Sequence, residues 1–250
     1  MSLLRIISKI DLKNEFVVKG YHLEGWQRVG NPIQIALHEY ENGCDEFIFI
    51  DSVASLFSRE KILNIIKELS KKIFVPITVG GGIKNMKDVD EIFKLGADKI
   101  AVNTEFIKNP NFIKEISKKY GTQSIVLSVQ AKKIKNEWYA FSENARNNSE
   151  FIVTEWIKKC ENFGVGEILL TSVDNEGCEI GFDVDLYIKV KKITNLPIIA
   201  HGGYGSNNDI IKLKNIELSA IAIGRCLHFR KITCNKIKEE LKNKGFNFRS

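Results

Sequence analysis

Short apolar runs rich in β-branched residues alternate along the chain with longer stretches in which apolar residues recur every three or four positions. The runs RIISKI, EFIFID, PITVG, KIAVN, SIVLSV, EILLTS, PIIAHG and AIAIG read as eight strands. Between them, segments such as SREKILNIIKELSKK and NMKDVDEIFKLG carry the period of a helix with one buried face. Eight alternating units of this length predict an α/β fold of the closed (β/α)8 TIM-barrel type in preference to an open doubly wound sheet. No linker interrupts the alternation, so residues 1–250 are expected to form one domain.

An internal repeat supports closure. Residues 46–51 (EFIFID) stand 121 positions before residues 167–172 (EILLTS). The same offset relates VPITVGGGI (75–83) to LPIIAHGGY (196–204), and KIAVNT (99–104) to AIAIGR (220–225). The chain therefore reads as two similar half-barrels, approximately 1–120 and 121–250. Near the front of each half, RIISKID and SIVLSVQ match at an offset of 119, which makes Asp11 and Gln130 the same position in the two halves.

In such a barrel the strand C-terminal ends and the loops after them form the active face. Asp11 ends the first strand and Gln130 the fifth, on opposite sides of the mouth. Paired carboxylates there would suit general acid and base work across one substrate. A lone Asp at a strand end is also an ordinary loop cap, and Gln130 is an amide. The clusters GGGI (80–83) and HGGYGS (201–206) follow the third and seventh strands, and each precedes a helical segment. Glycines let backbone amides approach an anion, and a following helix adds favourable partial charge. Two such clusters in register with the repeat point to a substrate with an anionic group at each end, although a tight turn explains either one alone.

Composition narrows the setting. The net charge of +6 comes from lysines spread along helical segments among acids, and no basic stretch is interleaved with aromatics, which disfavours nucleic acid. Five cysteines without CxxC spacing favour a reducing compartment. No stretch approaches the roughly 20 apolar residues of a membrane span, so a cytoplasmic protein is expected. Neither a metal nor an organic cofactor is expected.

The stretches RII, VVKG, DEFIFID, TVGGGI, GADKIAVNT, GEILLTSVDNEG, PIIAHGGYG and HFR, in this order across the whole chain, resemble the cyclase subunit family of imidazole glycerol phosphate synthase. The resemblance implies a barrel that pairs with a glutaminase subunit, whose ammonia crosses the barrel interior to the far face. Its catalytic acids match Asp11 and the position held here by Gln130. Its phosphate and substrate sites match Gly82, Asn103 and Thr104 in one half, and Gly177, Gly203, Gly224 and Arg225 in the other, with Lys19 beside Asp11. A charged ring at the ammonia entrance matches Arg5, Glu46, Lys99 and Glu167, and the glutaminase-facing positions match Asp98 and Gln123. Charged residues opening parallel strands are otherwise ordinary solvated ends.

This sequence departs from the family at one face. Besides Gln130, Glu176 replaces an aspartate, His201 a small serine, and Arg225 a small residue. Glutamine takes up no proton near neutral pH, and losing a general acid or base costs about 10² to 10⁴ in rate. The departures lead to the expectation of a paralogue that receives ammonia from a glutaminase and passes it to another acceptor, as in acetamidino modification of bacterial surface sugars with a third, ATP-using amidotransferase. The alternatives are a genuine histidine-pathway cyclase, the related phosphoribosyl isomerase, which shares the half-barrel repeat but needs no glutaminase, and a non-catalytic subunit that activates the glutaminase.

Overall fold

The computed structural model describes residues 3–53 and 56–248. Strand β1 (Arg5–Lys13) leads into the hairpin β2 (Phe16–Tyr21) and β3 (Glu24–Gly30), followed by helix α1 (Pro32–Glu41). Then come β4 (Glu46–Asp51), α2 (Leu56–Leu69), β5 (Ile77–Gly80), α3 (Met86–Lys94), β6 (Lys99–Val102), α4 (Thr104–Lys108) and α5 (Asn111–Tyr120). The second half repeats the plan. Strand β7 (Ile125–Ile134) runs into the hairpin β8 (Glu137–Ser142) and β9 (Asn147–Ile152), then α6 (Val153–Phe163), β10 (Glu167–Ser172) and α7 (Val184–Lys191). The chain finishes with β11 (Ile198–His201), α8 (Asn207–Ile211), β12 (Ala220–Ile223), α9 (Arg225–His228) and α10 (Cys234–Lys242).

The strands β1, β4, β5, β6, β7, β10, β11 and β12 pair in parallel in that order, and β12 pairs back onto β1 through Arg5 opposite Ala220. That last pairing closes the (β/α)8 barrel. Each apolar run read as a strand becomes one barrel strand. The strands β1 and β7 extend beyond their runs because they continue into antiparallel pairing with β2 and β8.

Burial on both faces explains why these strands are nearly continuous apolar runs. Outward-facing residues such as Ile6, Ile10, Phe47, Phe49, Ile168 and Leu170 pack beneath the helices in the main core. Ile7, Ile48, Ala101, Val126, Leu169, Ile199, Ala220 and Ala222 form a separate cluster that fills the barrel interior. Burying each Leu, Ile or Phe contributes about 1.5–3 kcal/mol, which is why the helices follow their apolar stripes onto the sheet. Helix starts are set locally. Asn85 opens α3 in a reciprocal cap with Asp88, and the Asn31 side chain accepts from the Ile33 and Gln34 amides at the start of α1.

Candidate active site

Successive strand residues point to opposite faces, so β1 sends Arg5, Ile7, Lys9 and Asp11 into the barrel in turn. These four residues define the vertical order of the interior. At the strand-start end, Arg5 Nη1 donates to Glu46 Oε1 at 2.7 Å and Nη2 to Glu167 Oε1 at 2.6 Å. Lys99 Nζ sits 2.7 Å from Glu167 Oε2 and 3.7 Å from Glu46 Oε2. The structure thus joins all four residues of the expected ring into one alternating network. Burial alone would raise the Glu167 carboxyl, but Arg5 and Lys99 outweigh it and hold it below its ordinary range. Asp98 is exposed beside the ring and accepts from the Ile77 amide at 2.8 Å, and Gln123 is exposed in the turn entering β7. Above the ring lies the apolar interior layer.

The opposite end carries a buried charge network. Lys19, from the β2 hairpin, lies 3.0 Å from Asp11 Oδ2 and also pairs with Glu176, while Lys9 pairs with the other Asp11 oxygen. Two ammonium groups face two carboxylates, and all four residues are buried. Burial opposes ionisation of Asp11, but Lys9 and then Lys19 override it and hold the carboxyl well below the usual range. His201 lies 3.9 Å from Glu176 through Nε2, and its Nδ1 lies 3.1 Å from Thr171 Oγ1. Burial first, then Lys9 and Lys19, drive its pKa well below the ordinary histidine value, so the ring stays neutral. Asp11 therefore stays ionised and can stabilise positive charge, but it has no proton to donate.

Gln130 stands elsewhere on the mouth, where its Oε1 accepts from the Ala145 amide at 2.8 Å. An amide moves no proton at this position. Burial lowers the Lys9 pKa, while Glu176 and Asp11 outweigh burial at Lys19 and hold its ammonium protonated. Lys9 is the member that sequence reading missed, although a charged residue two positions before Asp11 on a buried strand must share its face.

The two glycine clusters differ in what they border. In the first half, Gly82, Asn103, Thr104 and Gln130 line a cavity of about 750 Å³, together with Lys84 and Arg146. The Asn103 side-chain amide donates to the Phe141 carbonyl at 2.9 Å, and Thr104 Oγ1 accepts from the Glu143 amide at 3.2 Å, so the β8–β9 hairpin fixes this wall. In the second half, Lys19, Glu176, Gly177, His201, Gly203, Gly224 and Arg225 do come together, but around only about 20 Å³.

The family of histidine biosynthesis proteins matches residues 5–233. The chain belongs to that family. It is 43% identical over 206 residues to the imidazole glycerol phosphate synthase subunit HisF of Legionella pneumophila, covering 82% of this chain and 97% of that protein. The subunit of the same name from Prochlorococcus marinus is 39% identical over 248 residues, 98% of this chain and 96% of the relative. That from a Thermotoga species is 35% identical over 245 residues, 98% of this chain and 97% of its own. These names agree with the cyclase-subunit resemblance. They favour the histidine-pathway alternative over surface-sugar modification.

Proposed function

We infer that this chain is the barrel subunit of a glutamine amidotransferase, taking ammonia from a glutaminase at the strand-start end and delivering it to an acceptor at the strand-end face. This reading rests on the network of Arg5, Glu46, Lys99 and Glu167, which closes one end of the barrel interior beneath an apolar layer. Solvated strand ends would have no cause to lie buried in alternating bridges, with Glu46 and Glu167 each only 5% exposed. Asp98 and Gln123, exposed beside the ring, would meet the glutaminase. The test is co-purification with the candidate glutaminase and stimulation of its glutamine hydrolysis. Failure to bind at micromolar concentration, with Asp98→Ala and Lys99→Ala changing nothing, refutes the reading.

A second reading concerns the acceptor. The relatives' names support ring-closing synthase chemistry on the histidine-pathway ribonucleotide, with Asp11 as the ionised group. The amide at Gln130 supports a different acceptor, of which an acetamido sugar, served with a third ATP-using amidotransferase, is one form. Turnover with ammonium salt separates them without any glutaminase. The changed-acceptor reading expects wild-type turnover at least about 10² below that of a barrel carrying both acids, and little recovery in Gln130→Asp. Efficient turnover makes the chain a histidine-pathway cyclase.

A further inference from the structure

We propose that His22 and Cys178 form a binding site for a thiophilic divalent cation of the zinc type, which clamps the turn of the β2–β3 hairpin to the loop after β10. His22 Nε2 lies 3.5 Å from Cys178 Sγ. A zinc ion about 2.0–2.1 Å from an imidazole nitrogen and about 2.3 Å from a thiolate, at the tetrahedral angle, holds those two atoms about 3.5 Å apart. The pair already has the spacing of two ligands on one cation. The imidazole is also turned for it. Its Nδ1 lies 3.1 Å from the Val173 carbonyl oxygen, which can only accept, so in the neutral ring Nδ1 carries the hydrogen and Nε2 presents its lone pair to the sulfur. A backbone carbonyl on the far nitrogen is a usual way of orienting a metal-binding histidine. The main chain beneath both side chains is held in place: the His22 amide donates to the Glu176 carbonyl at 2.8 Å, and the Cys178 amide to the Asn175 carbonyl at 3.1 Å. Binding therefore has little ordering to oppose it.

Access and proton balance fit the same reading. His22 is exposed and Cys178 half-buried, whereas Cys44, Cys160, Cys226 and Cys234 are buried, so Cys178 is the thiol a cation from solvent can reach. Burial first, and then Glu176, raise the Cys178 thiol above its ordinary range, with Arg225 opposing them, so the sulfur keeps its hydrogen until a cation arrives. A thiol hydrogen bond to the imidazole has this spacing too, and the cation takes the place of that one proton. The sulfur–hydrogen bond breaks, a sulfur–metal bond forms, and the proton leaves to solvent. Among the described residues no third His, Cys, Asp or Glu completes a metal-holding group, so water fills the remaining positions and the site is an open one. A cation bound there ties the hairpin that carries Lys19 to the loop that carries its partner Glu176. The clamp would act whichever acceptor the barrel serves.

The experiment titrates the full chain with cobalt(II), whose bond to a thiolate absorbs in the near ultraviolet, and then displaces the cobalt with zinc. The wild type is expected to develop the thiolate band at one cobalt per chain, to release a proton as it does so, and to lose the band to zinc. Cys178→Ser should abolish the band, and His22→Gln should weaken cobalt binding by at least about tenfold. Both side chains lie on loops and reach solvent, and circular dichroism checks that each variant keeps the fold. Zinc should also slow tryptic cleavage within residues 13–28 in the wild type and leave it unchanged in Cys178→Ser. Absence of the band at millimolar cobalt overturns the inference. So does a band that survives Cys178→Ser, equal binding by His22→Gln, or cation binding that gives the hairpin no protection.

Discussion

Lys19 reaches into the barrel from the β2 hairpin and ends between two buried carboxylates, so its charge is the counterweight on which Asp11 and Glu176 depend. Replacing it by methionine leaves uncompensated charge in a site closed to water, which costs about 3–5 kcal/mol in a buried pair. The double variant Lys19→Met with Glu176→Gln should recover a substantial part of that loss in urea denaturation, and additive losses would show that the two residues do not interact. His201 makes a second residue-level prediction. It is buried neutral, faced by Lys9, Lys19, Asp11, Glu176, Thr171 and, more distantly, His228. Its folded pKa lies below the unfolded value of about 6.5, so the unfolded chain binds the extra proton and stability falls as the pH drops below that value. The slope from this one group is at most about 1.4 kcal/mol per pH unit. His201→Asn should flatten the decline measured between about pH 7 and 5.5. Asp11 acts with the same sign at lower pH, because its depressed carboxyl loses its contribution as the pH falls through and below the ordinary carboxylate range. The sequence makes Asp11 legible as a strand-end acid. The neutral state of His201 depends on two lysines from different elements, and no local pattern carries that.

At the scale of elements, the two hairpins set the site apart from a bare barrel. Both follow equivalent strands, β1 and β7, and both bend over the mouth. The β2–β3 hairpin supplies Lys19 and lies on Gly177, while the β8–β9 hairpin holds Asn103 and, through the segment 143–145, Thr104 and Gln130. Gly177→Ala forces a side chain into the left-handed region at φ +77° and against the Gly20 carbonyl. A loss of about 1–3 kcal/mol and faster tryptic cleavage within residues 13–28 are expected. Gly25→Ala is the control. It also has positive φ, +60°, but nothing lies within 4 Å of its Cβ, so it should cost no more than about 1 kcal/mol. Equal losses in both variants would mean that the hairpin is not seated on Gly177. The barrel strands were readable because burial on both faces writes an apolar run. The strand β3, exposed along most of Glu24–Gly30, leaves no comparable signal.

At the scale of the whole molecule, the charged ring and the strand-end mouth lie at opposite ends of the barrel interior, with an apolar layer between them. If the ring gates ammonia, Arg5→Ala frees Glu46 and Glu167 from one partner and opens the entrance. Product formed per glutamine consumed should then fall while the fold and glutamine hydrolysis persist, whereas an unchanged ratio in both Arg5→Ala and Lys99→Ala would assign the ring to stability alone. Sequence by itself determined the eight strands, the alternation with helices and the twofold repeat, because hydrophobic periodicity and a fixed offset are local or self-referential properties. It also placed Arg5, Glu46, Lys99 and Glu167 at strand starts and Asp11 and Gln130 at strand ends, since strand position fixes height in a barrel. Only the tertiary structure decided which charges meet and that Lys9 joins Asp11. Those meetings join residues far apart in the chain, such as Lys19 with Glu176 and Arg5 with Glu167, so packing fixes them and no local pattern carries them.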